Sequence, residues 1–108
     1  MSAASSFIHT SRNVSLDGSS LKAECQRENG DWVQSGSLDL NAFIGNDDGE
    51  FKWGGSNFND SAVNVRLSGY PEMLLGDLPD KAGDINIDQW INLGDHIQNK
   101  DGQLTYVS

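Results

Sequence analysis

The chain has few of the residues that cross-link a small protein or bind a metal. Its 108 residues include a single cysteine, Cys25, so no disulfide can form within the chain. The chain also has only two histidines, His9 and His96, and they are far apart in the sequence. A structural zinc site typically needs four such ligands, so the sequence does not indicate one. A lone thiol is typical of proteins in a reducing compartment.

Basic residues and long apolar runs are also scarce. Seven Lys and Arg residues stand against 16 acidic ones, for a net charge of −9. This charge repels phosphate, so we expect neither nucleic acid nor a membrane surface as a partner. No apolar run approaches the roughly 20 residues of a membrane span. Residues 1–13 lack the basic start and apolar stretch of a signal peptide. We therefore expect a cytoplasmic protein, with secretion by an unconventional route as the alternative.

Motifs for catalysis and for metal or phosphate binding are missing as well. The sequence has no glycine-rich phosphate loop and no nucleophile elbow. If Gly49 or Gly102 is set at the sixth position of a calcium loop, the first position is isoleucine and the twelfth is Gly55 or Ser108, so the decisive ligands are absent. We expect no metal, no cofactor and no enzymatic activity. A glycosidase built on two carboxylates and an improvised calcium site remain the alternatives.

What the sequence does contain is an internal repeat. The segment "IGNDDGEFKW" (44–53) matches "IQNKDGQLTY" (97–106) at an offset of 53 residues, and "FIHTSRNVSL" (7–16) matches "FNDSAVNVRL" (58–67) at an offset of 51. The offsets differ by two residues, which predicts an insertion in the turn at 68–73, where extra length costs little. We predict one domain over residues 1–108, built from tandem repeats at about 5–56 and 57–108 and joined at "GGSN".

The local pattern of each repeat is that of β-structure. "LKAEC" (21–25) alternates apolar and polar residues, Asn29-Gly30 is a hairpin signal, and "SLDLNAFI" (37–44) predicts a short helical turn capped by Ser37 or Asp39. Pro79 weakens the strand assignment at the matching place in the second repeat. Because about 50 residues bury too little surface alone, we predict an all-β fold with short helical turns whose two pseudo-symmetric halves share a core.

The two repeat endings, each with Asn, Asp and Gly at the same spacing before an aromatic residue, and the "WGGSNF" segment between them resemble the cyanovirin-N homologue family of lectins, in its fungal, disulfide-free form. The resemblance spans about residues 7–106. It implies an elongated fold in which strands are exchanged between the repeats. It also implies calcium-independent binding of high-mannose glycans, preferably through terminal α1,2-linked dimannose, at up to two shallow sites.

The resemblance also assigns residues to these sites. The first and favoured site comprises Ser6, His9, Thr10, Gln26, Arg27, Glu28, Asn99, Lys100 and Asp101. The second comprises Asn46, Asp47, Asp48, Ser56, Asn57, Asp60, Ser61, Asp80 and Lys81, with Pro79 in its wall. We expect the second site to be degraded, because "PDKAG" (79–83) replaces "QRENG" (26–30) and a rigid proline would misplace hydrogen-bonding groups.

Other residues have a plainer interpretation. At the four positions where related lectins have disulfides, this chain has Ser11, Cys25, Ala62 and Leu78, so packing alone must hold the halves together and Cys25 should be a buried thiol. Trp32, Trp53 and Trp90 are expected in the core or in an interface, with stacking on sugar as the alternative. Asn46 and Asn99 could be turn formers only, and His9 is expected to face solvent.

The function implied is weak lectin binding of oligomannose glycans or mannose disaccharides, through one working site. The alternative is an intracellular structural or interaction protein that keeps the fold and binds no sugar. We expect a monomer, with a domain-swapped dimer as a further possibility because "GGSN" can act as a hinge.

Overall fold

The structure is a computed structural model that describes residues 7–68 and 73–107. This part of the chain holds antiparallel strands and four short 3-10 helices, at Phe7–Thr10, Leu40–Ala42, Phe58–Asp60 and Leu93–Asp95. The strands are β1 (Ser11–Asp17), β2 (Ser20–Gln26), β3 (Trp32–Gln34), β4 (Leu38–Asp39), β5 (Ile44–Asp47), β6 (Glu50–Trp53), β7 (Val63–Leu67), β8 (Met73–Pro79), β9 (Ile85–Asn92), β10 (Ile97–Lys100) and β11 (Gln103–Tyr106). The all-β class predicted from the sequence is confirmed. Across the described ranges, none of the helices has the length and apolar character that crossing a membrane requires.

The strands form two sheets and two separate hairpins. In the first sheet β2 pairs with β1, β3 and β4, and in the second β8 lies between β7 and β9. Strands β5 and β6 form one hairpin, and β10 and β11 form the other. Each sheet has a bulge at the same place in its first strand, where Asn13 and Asn64 take positive φ angles of 52° and 55°. The order of elements in the first repeat therefore recurs in the second.

Each hairpin packs on the sheet of the other repeat. The β10–β11 turn lies on the first sheet, where a Cβ at Gly102 would be 2.7 Å from Val33 Cγ2. The β5–β6 turn lies on the second sheet, where the Asn86 side chain donates to Gly49 O at 3.4 Å. Each half thus consists of a sheet from one repeat and a hairpin from the other, which confirms the predicted strand exchange.

One hydrophobic core runs through both halves. Its residues come from both repeats at matching positions, for example Phe7 with Phe58, Ile44 with Ile97 and Leu40 with Leu93, all without exposed surface. The alternation in β2 is as predicted, because Leu21, Ala23 and Cys25 are buried while Lys22 faces solvent. The helical turn after β4 is capped by Asp39, whose Oδ1 accepts from Asn41 N at 3.0 Å, rather than by Ser37.

The linker between the repeats lies directly against β5. Gly45 and Asn57 form an isolated β-bridge, and a Cβ placed on Gly55 would be 2.9 Å from Gly45 Cα. The two backbones approach this closely because neither residue has a side chain. Most of the insertion predicted at 68–73 lies outside the described residues.

The expectation for Pro79 is wrong, and the tryptophans are not all in the core. Pro79 does not weaken a strand: it ends β8 beside a turn, where a ladder hydrogen bond is not needed, and β9 runs unbroken over eight residues. Of the tryptophans, Trp53 is half-buried against His96 and Tyr106, but Trp32 is 38% exposed and Trp90 is 62% exposed. Trp32 and Trp90 are therefore not core residues, and their place in an interface stays a prediction.

Candidate functional site

The side-chain amide of Asn99 connects three segments that are far apart in the sequence. Its Nδ2 donates to Thr10 Oγ1 at 2.9 Å and to Gln26 O at 2.8 Å, while its Oδ1 accepts from Gly102 N at 2.8 Å. These bonds fix the N-terminal 3-10 helix, the β2–β3 turn and the β10–β11 turn relative to one another. Most of the residues predicted for the first site are therefore brought together at one end of the first half.

Asp101 makes a second connection between the same two turns. It lies in a tight Asp-Gly turn with positive φ angles of 49° and 96° at Asp101 and Gly102. Its carboxylate accepts from Arg27 Nη2 at 3.2 Å and from Glu28 N at 3.0 Å. The Arg27 hydrogen bonds, followed by the Glu28 N–H and then by the charge of Arg27, lower the pKa of Asp101, and Asp101 in turn raises the pKa of Arg27. Asp101 is therefore held as a carboxylate at the surface between the two turns.

The other predicted residues of this site surround the two connections. His9, Thr10 and Glu28 are exposed, and Lys100 is exposed beside Asp101 in the turn. Gln26 is partly buried and donates to Gly30 O at 3.2 Å. Ser6 lies outside the described residues. Sequence reasoning missed Asp31, whose carbonyl accepts from Arg27 N at 2.7 Å and closes the β2–β3 turn; a backbone contact of this kind leaves no mark in the side-chain pattern.

We call the bonds of Asn99 and Asp101 to their neighbouring segments the first frame. The second half repeats these bonds in a second frame. Asn46 Nδ2 donates to Ser61 Oγ at 3.1 Å and to Pro79 O at 2.9 Å, and its Oδ1 accepts from Gly49 N at 2.8 Å. Asp48 Oδ1 accepts from Lys81 N at 2.8 Å, as Asp101 Oδ1 does from Glu28 N. The predicted residues Asn46, Asp48, Ser61 and Lys81 are thus brought together.

The expectation that Pro79 misplaces the groups of this second frame is therefore wrong. The turn after Pro79 closes with Asp80 N to Asp84 O at 2.8 Å and Gly83 N to Asp80 O at 3.0 Å, which match the 2.7 and 2.9 Å of the corresponding bonds at Arg27 and Gly30. The proline carbonyl accepts from the bridging asparagine as well as the Gln26 carbonyl does, because proline lacks only the N–H.

The two frames differ in the side chains that they carry. Where Arg27 bonds Asp101, the second half has Asp80, whose carboxylate accepts instead from Ala82 N and Asp84 N, both at 3.0 Å. Of the remaining predicted residues, Asp47 faces Lys52 at 3.6 Å, while Ser56, Asn57 and Asp60 are exposed in the segment that leads to Ser61.

Neither frame is a metal centre or a deep cavity. Within the described ranges, no group of three or more His, Cys, Asp or Glu side chains is arranged to hold a metal ion. A groove of about 530 Å³ lies between the end of β1 with its turn and β7, with Leu16, Ala62 and Leu67 in its walls, and none of its lining residues bonds within either frame. What the two frames offer is fixed carboxylates, amides and backbone groups at the surface.

These features define a class, a tandem-repeat β-protein with exchanged strands and one polar cluster of turns in each half. The CVNH domain model matches residues 7–105, and the chain belongs to the cyanovirin-N homologue family, whose members are carbohydrate-binding lectins and not enzymes. A cyanovirin-N homologue from Tuber borchii is 36% identical over 103 residues, which cover 94% of this chain and 98% of that protein.

Solved structures agree with this assignment. The crystal structure of a MoCVNH3 variant in complex with (N-GlcNAc)4 has a TM-score of 0.87 at 28% identity. The match covers 95% of this chain and 97% of that one. The complex of microvirin with mannobiose has a TM-score of 0.80 at 31% identity, with coverage of 94% of this chain and 98% of that one. The fold and family predicted from the repeat endings are confirmed.

Proposed function

We propose that this protein is a lectin for high-mannose glycans that binds terminal α1,2-linked dimannose, without metal or catalysis, through the site built around Asn99 and Asp101. The observation that carries the proposal is the frame itself, in which one amide and one carboxylate fix three distant segments at the surface. Support also comes from microvirin, a relative of the same fold that binds mannobiose.

The chemistry of the site around Asn99 and Asp101 suits an uncharged sugar. Hydroxyl groups of a saccharide both donate and accept, so they bind best to a mixture of fixed carboxylates, amides and backbone groups. Asp101 is held ionised by Arg27 and Glu28 N, and hydrogen bonds to a charged partner are stronger than neutral ones. Asp101 Oδ1 already accepts from Arg27 Nε and Glu28 N, so the remaining lone pair of Oδ2, beside its bond from Arg27 Nη2, would accept from a mannose hydroxyl.

We place the stronger binding in the first half because its frame carries more hydrogen-bonding groups. At the position of Gln26, which offers an amide side chain and a backbone N–H, the second half has Pro79, which offers neither. Where Arg27 provides donors beside Asp101, the second half places the acceptor Asp80. The second frame has sound geometry, but it has fewer donors for a sugar.

Two other functions are kept as alternatives. The relative with the TM-score of 0.87 was solved with a GlcNAc oligomer, so N-acetylglucosamine chains are a second ligand class to test. The other alternative is an intracellular structural or interaction protein that retains the fold without binding sugar. The cytoplasmic location stays a prediction of the sequence.

The test is a titration of isotope-labelled protein with α1,2-linked dimannose, and in parallel with GlcNAc tetramer, followed through amide shifts. Asp101→Ala should lower the dimannose affinity by about tenfold or more, because it removes charge-assisted hydrogen bonds. Its matched control is Asp48→Ala, which removes the equivalent carboxylate and should leave the affinity nearly unchanged.

Thermal melts of both variants separate binding from folding. If Asp101→Ala loses affinity while its melting temperature falls no further than that of Asp48→Ala, the carboxylate acts on the sugar. Equal loss of affinity in the two variants would assign binding to both sites. No shifts with either sugar at millimolar concentration would leave the structural alternative, and shifts with the GlcNAc tetramer alone would replace mannose as the ligand.

A further inference from the structure

The two frames hold their central carboxylates on backbones of matching geometry. Asp101 accepts from Glu28 N at 3.0 Å, and Asp48 accepts from Lys81 N at 2.8 Å. In each frame the bridging asparagine accepts from the glycine N–H of the Asp-Gly turn at the same distance, 2.8 Å. The backbone therefore does not account for a difference in sugar binding between the two frames, and the side chains have to be compared.

One side-chain position beside the carboxylates has opposite charge in the two frames. It holds Arg27 in the first frame and Asp80 in the second, and these residues correspond at the offset of 53. A Cβ on Gly102 would be 3.0 Å from Arg27 Cγ. A Cβ on Gly49 would be 3.2 Å from Asp80 Cβ. Both side chains therefore start against the glycine of the adjacent turn, so the position is equivalent in space as well as in sequence.

Arg27 directs its guanidinium at Asp101. Its Nη2 donates to Asp101 Oδ2 at 3.2 Å and its Nε donates to Oδ1 at 3.4 Å, so both carboxylate oxygens are contacted. A contact to both oxygens fixes the orientation of a carboxylate as well as its position. The backbone of Arg27 is fixed too, because its N–H donates to Asp31 O at 2.7 Å. Two of the three guanidinium nitrogens are used on Asp101, so Arg27 acts on a ligand through that carboxylate.

Asp80 bonds within its own turn and leaves Asp48 without a cation. Its Oδ1 accepts from Ala82 N and Asp84 N, both at 3.0 Å, which closes an Asx-type turn. In the part of the chain that the structure describes, no ion pair includes Asp48. Its carboxylate accepts from one backbone N–H there. The second frame thus has the carboxylate of the first but not the group that orients it.

We propose that the residue at this position decides whether a frame works as a sugar site. Arg27 is a positioning residue that holds Asp101 in the orientation for sugar hydroxyls, and Asp80 leaves the second frame inactive toward dimannose. This inference rests on the proposed function, because it concerns binding of the same sugar. It replaces Pro79 as the reason for a weaker second site. It also predicts that a change of side chains activates the second frame, because the backbone is already in place.

The first test removes the guanidinium. Arg27→Met keeps the aliphatic stem that lies on Gly102 and removes both bonds to Asp101, so the dimannose affinity should fall about fivefold to tenfold. Arg27→Lys should recover only part of this loss, because an ammonium group does not match both oxygens of a carboxylate. Amide shifts in a dimannose titration measure the affinities. An unchanged affinity in Arg27→Met would overturn the proposal.

The pH profile of binding separates positioning from folding. Arg27 lowers the pKa of Asp101, so the unchanged protein should keep its dimannose affinity to a lower pH than Arg27→Met does. The other titratable or charged groups near this turn are the same in both proteins: His9, Glu28, Asp31 and Lys100. If Arg27→Met loses affinity but its acid limb is not displaced to higher pH, Arg27 has a structural role only and the proposal is wrong.

The second test transfers the side chains of the first frame to the second. Asp80→Arg combined with Ala82→Asn installs the guanidinium and also the turn cap that Asn29 provides in the first half, where its Oδ1 accepts from the N–H two residues on at 2.9 Å. In this variant we expect dimannose to shift amide signals around Asn46. The matched control is Asp80→Asn with Ala82→Asn, which removes the negative charge without adding a guanidinium and should leave the second frame silent.

The outcomes distinguish this inference from the proposed function. The carboxyl carbon signal of Asp48 checks that the new ion pair has formed, because its pKa should then fall. Dimannose binding at Asn99 with a silent second frame in the Asp80→Arg variant would overturn the inference and leave the proposed function standing. Activation of the second frame by the Asp80→Asn control would also overturn it. No shifts around Asn99 in the unchanged protein would overturn both.

Discussion

Ser11 and Cys25 lie opposite each other on β1 and β2, with Ser11 Oγ 3.4 Å from Cys25 Sγ. Cys25 is a free, fully buried thiol, as predicted from the sequence. The family resemblance places these residues at a disulfide position, and the register of the two strands preserves the facing pair. The fold therefore keeps the geometry for a cross-link that its sequence does not use.

We predict that Ser11→Cys forms a disulfide with Cys25. A loop of about 15 residues closed in this way should raise the free energy of unfolding by about 3 kcal/mol, since it restricts the unfolded chain. Thermal melts with and without reductant measure this gain. Ala62→Cys is the control: it corresponds by offset to Ser11 but has Leu78 where a second cysteine would be needed, so reductant should not change its melting temperature. An oxidised variant no more stable than its reduced form would contradict the prediction.

Single residues differ in how well the sequence predicts them. The Asp-Gly turns were predictable, because two consecutive positive φ angles favour this pair of residues and the preference depends only on the local sequence. They lie at Asp48, Gly49, Asp101 and Gly102. The exposure of Trp90 was not predictable. Alternation along β9 shows which side chains share a face, but not whether another element covers that face. Burial depends on elements distant in the chain.

Among the glycines of the described chain, those where the linker crosses β5 leave the least room between two backbones. A Cβ on Gly45 would lie 2.9 Å from Ser56 N and 3.1 Å from Gly55 Cα. Both atoms are backbone, so no flexible side chain can move aside. The corresponding position in the second repeat is Gln98, where no linker crosses and a side chain is accepted.

We predict that Gly45→Ala lowers the free energy of unfolding by about 1–3 kcal/mol, because the linker must move away from β5. Gln98→Ala, at the equivalent position, should change it by less than about 0.5 kcal/mol. Urea unfolding of the two variants provides the measurement. If both lose the same stability, the linker contact is not the cause.

The second repeat also shows where reasoning about elements fails. Pro79 argued against a strand on general grounds, yet the hydrogen-bonded frame around it matches that around Gln26. The sequence pattern identifies the proline but not its place in the ladder, and only at a ladder position that needs an N–H does proline break a strand. The strand exchange itself was accessible only through the family resemblance, because neither periodicity nor composition specifies which sheet a hairpin joins.

At the scale of the whole molecule, three carboxylates link stability to pH. Hydrogen bonds from Arg12 and then Asn13 lower the pKa of Glu24. Hydrogen bonds from Asn64 and then Asp88 N lower the pKa of Asp77. The pKa of Asp101 is lowered by the contacts described above. A carboxyl whose pKa is lower in the folded state stabilises folding above its unfolded pKa of about 4, and this contribution is lost as pH falls through the folded value.

We predict that the melting temperature falls as pH is lowered from about 5 to about 2, because these carboxylates become protonated. Asp77→Asn should be less stable than the unchanged protein at pH 7, and the difference should shrink with acidification, since a protonated Asp77 is also a weaker acceptor for Asn64 and Asp88 N. Melts at a series of pH values check this. Parallel curves for the two proteins would mean that the charge of Asp77 does not matter.

The bonds of Asn99 have one more consequence, for how the protein is made and purified. They connect Thr10, near the start of the chain, with residue 99, a separation of 89 residues. During synthesis the first site therefore cannot form until the segment around Asn99 and Asp101 has been made. The same holds for proteolysis: a molecule that is cut just before residue 99 loses Asn99 and Asp101. Under the proposed function, a mannose resin would retain chains that keep residues 99–101 and let chains without them pass, so retention would report whether this segment is present.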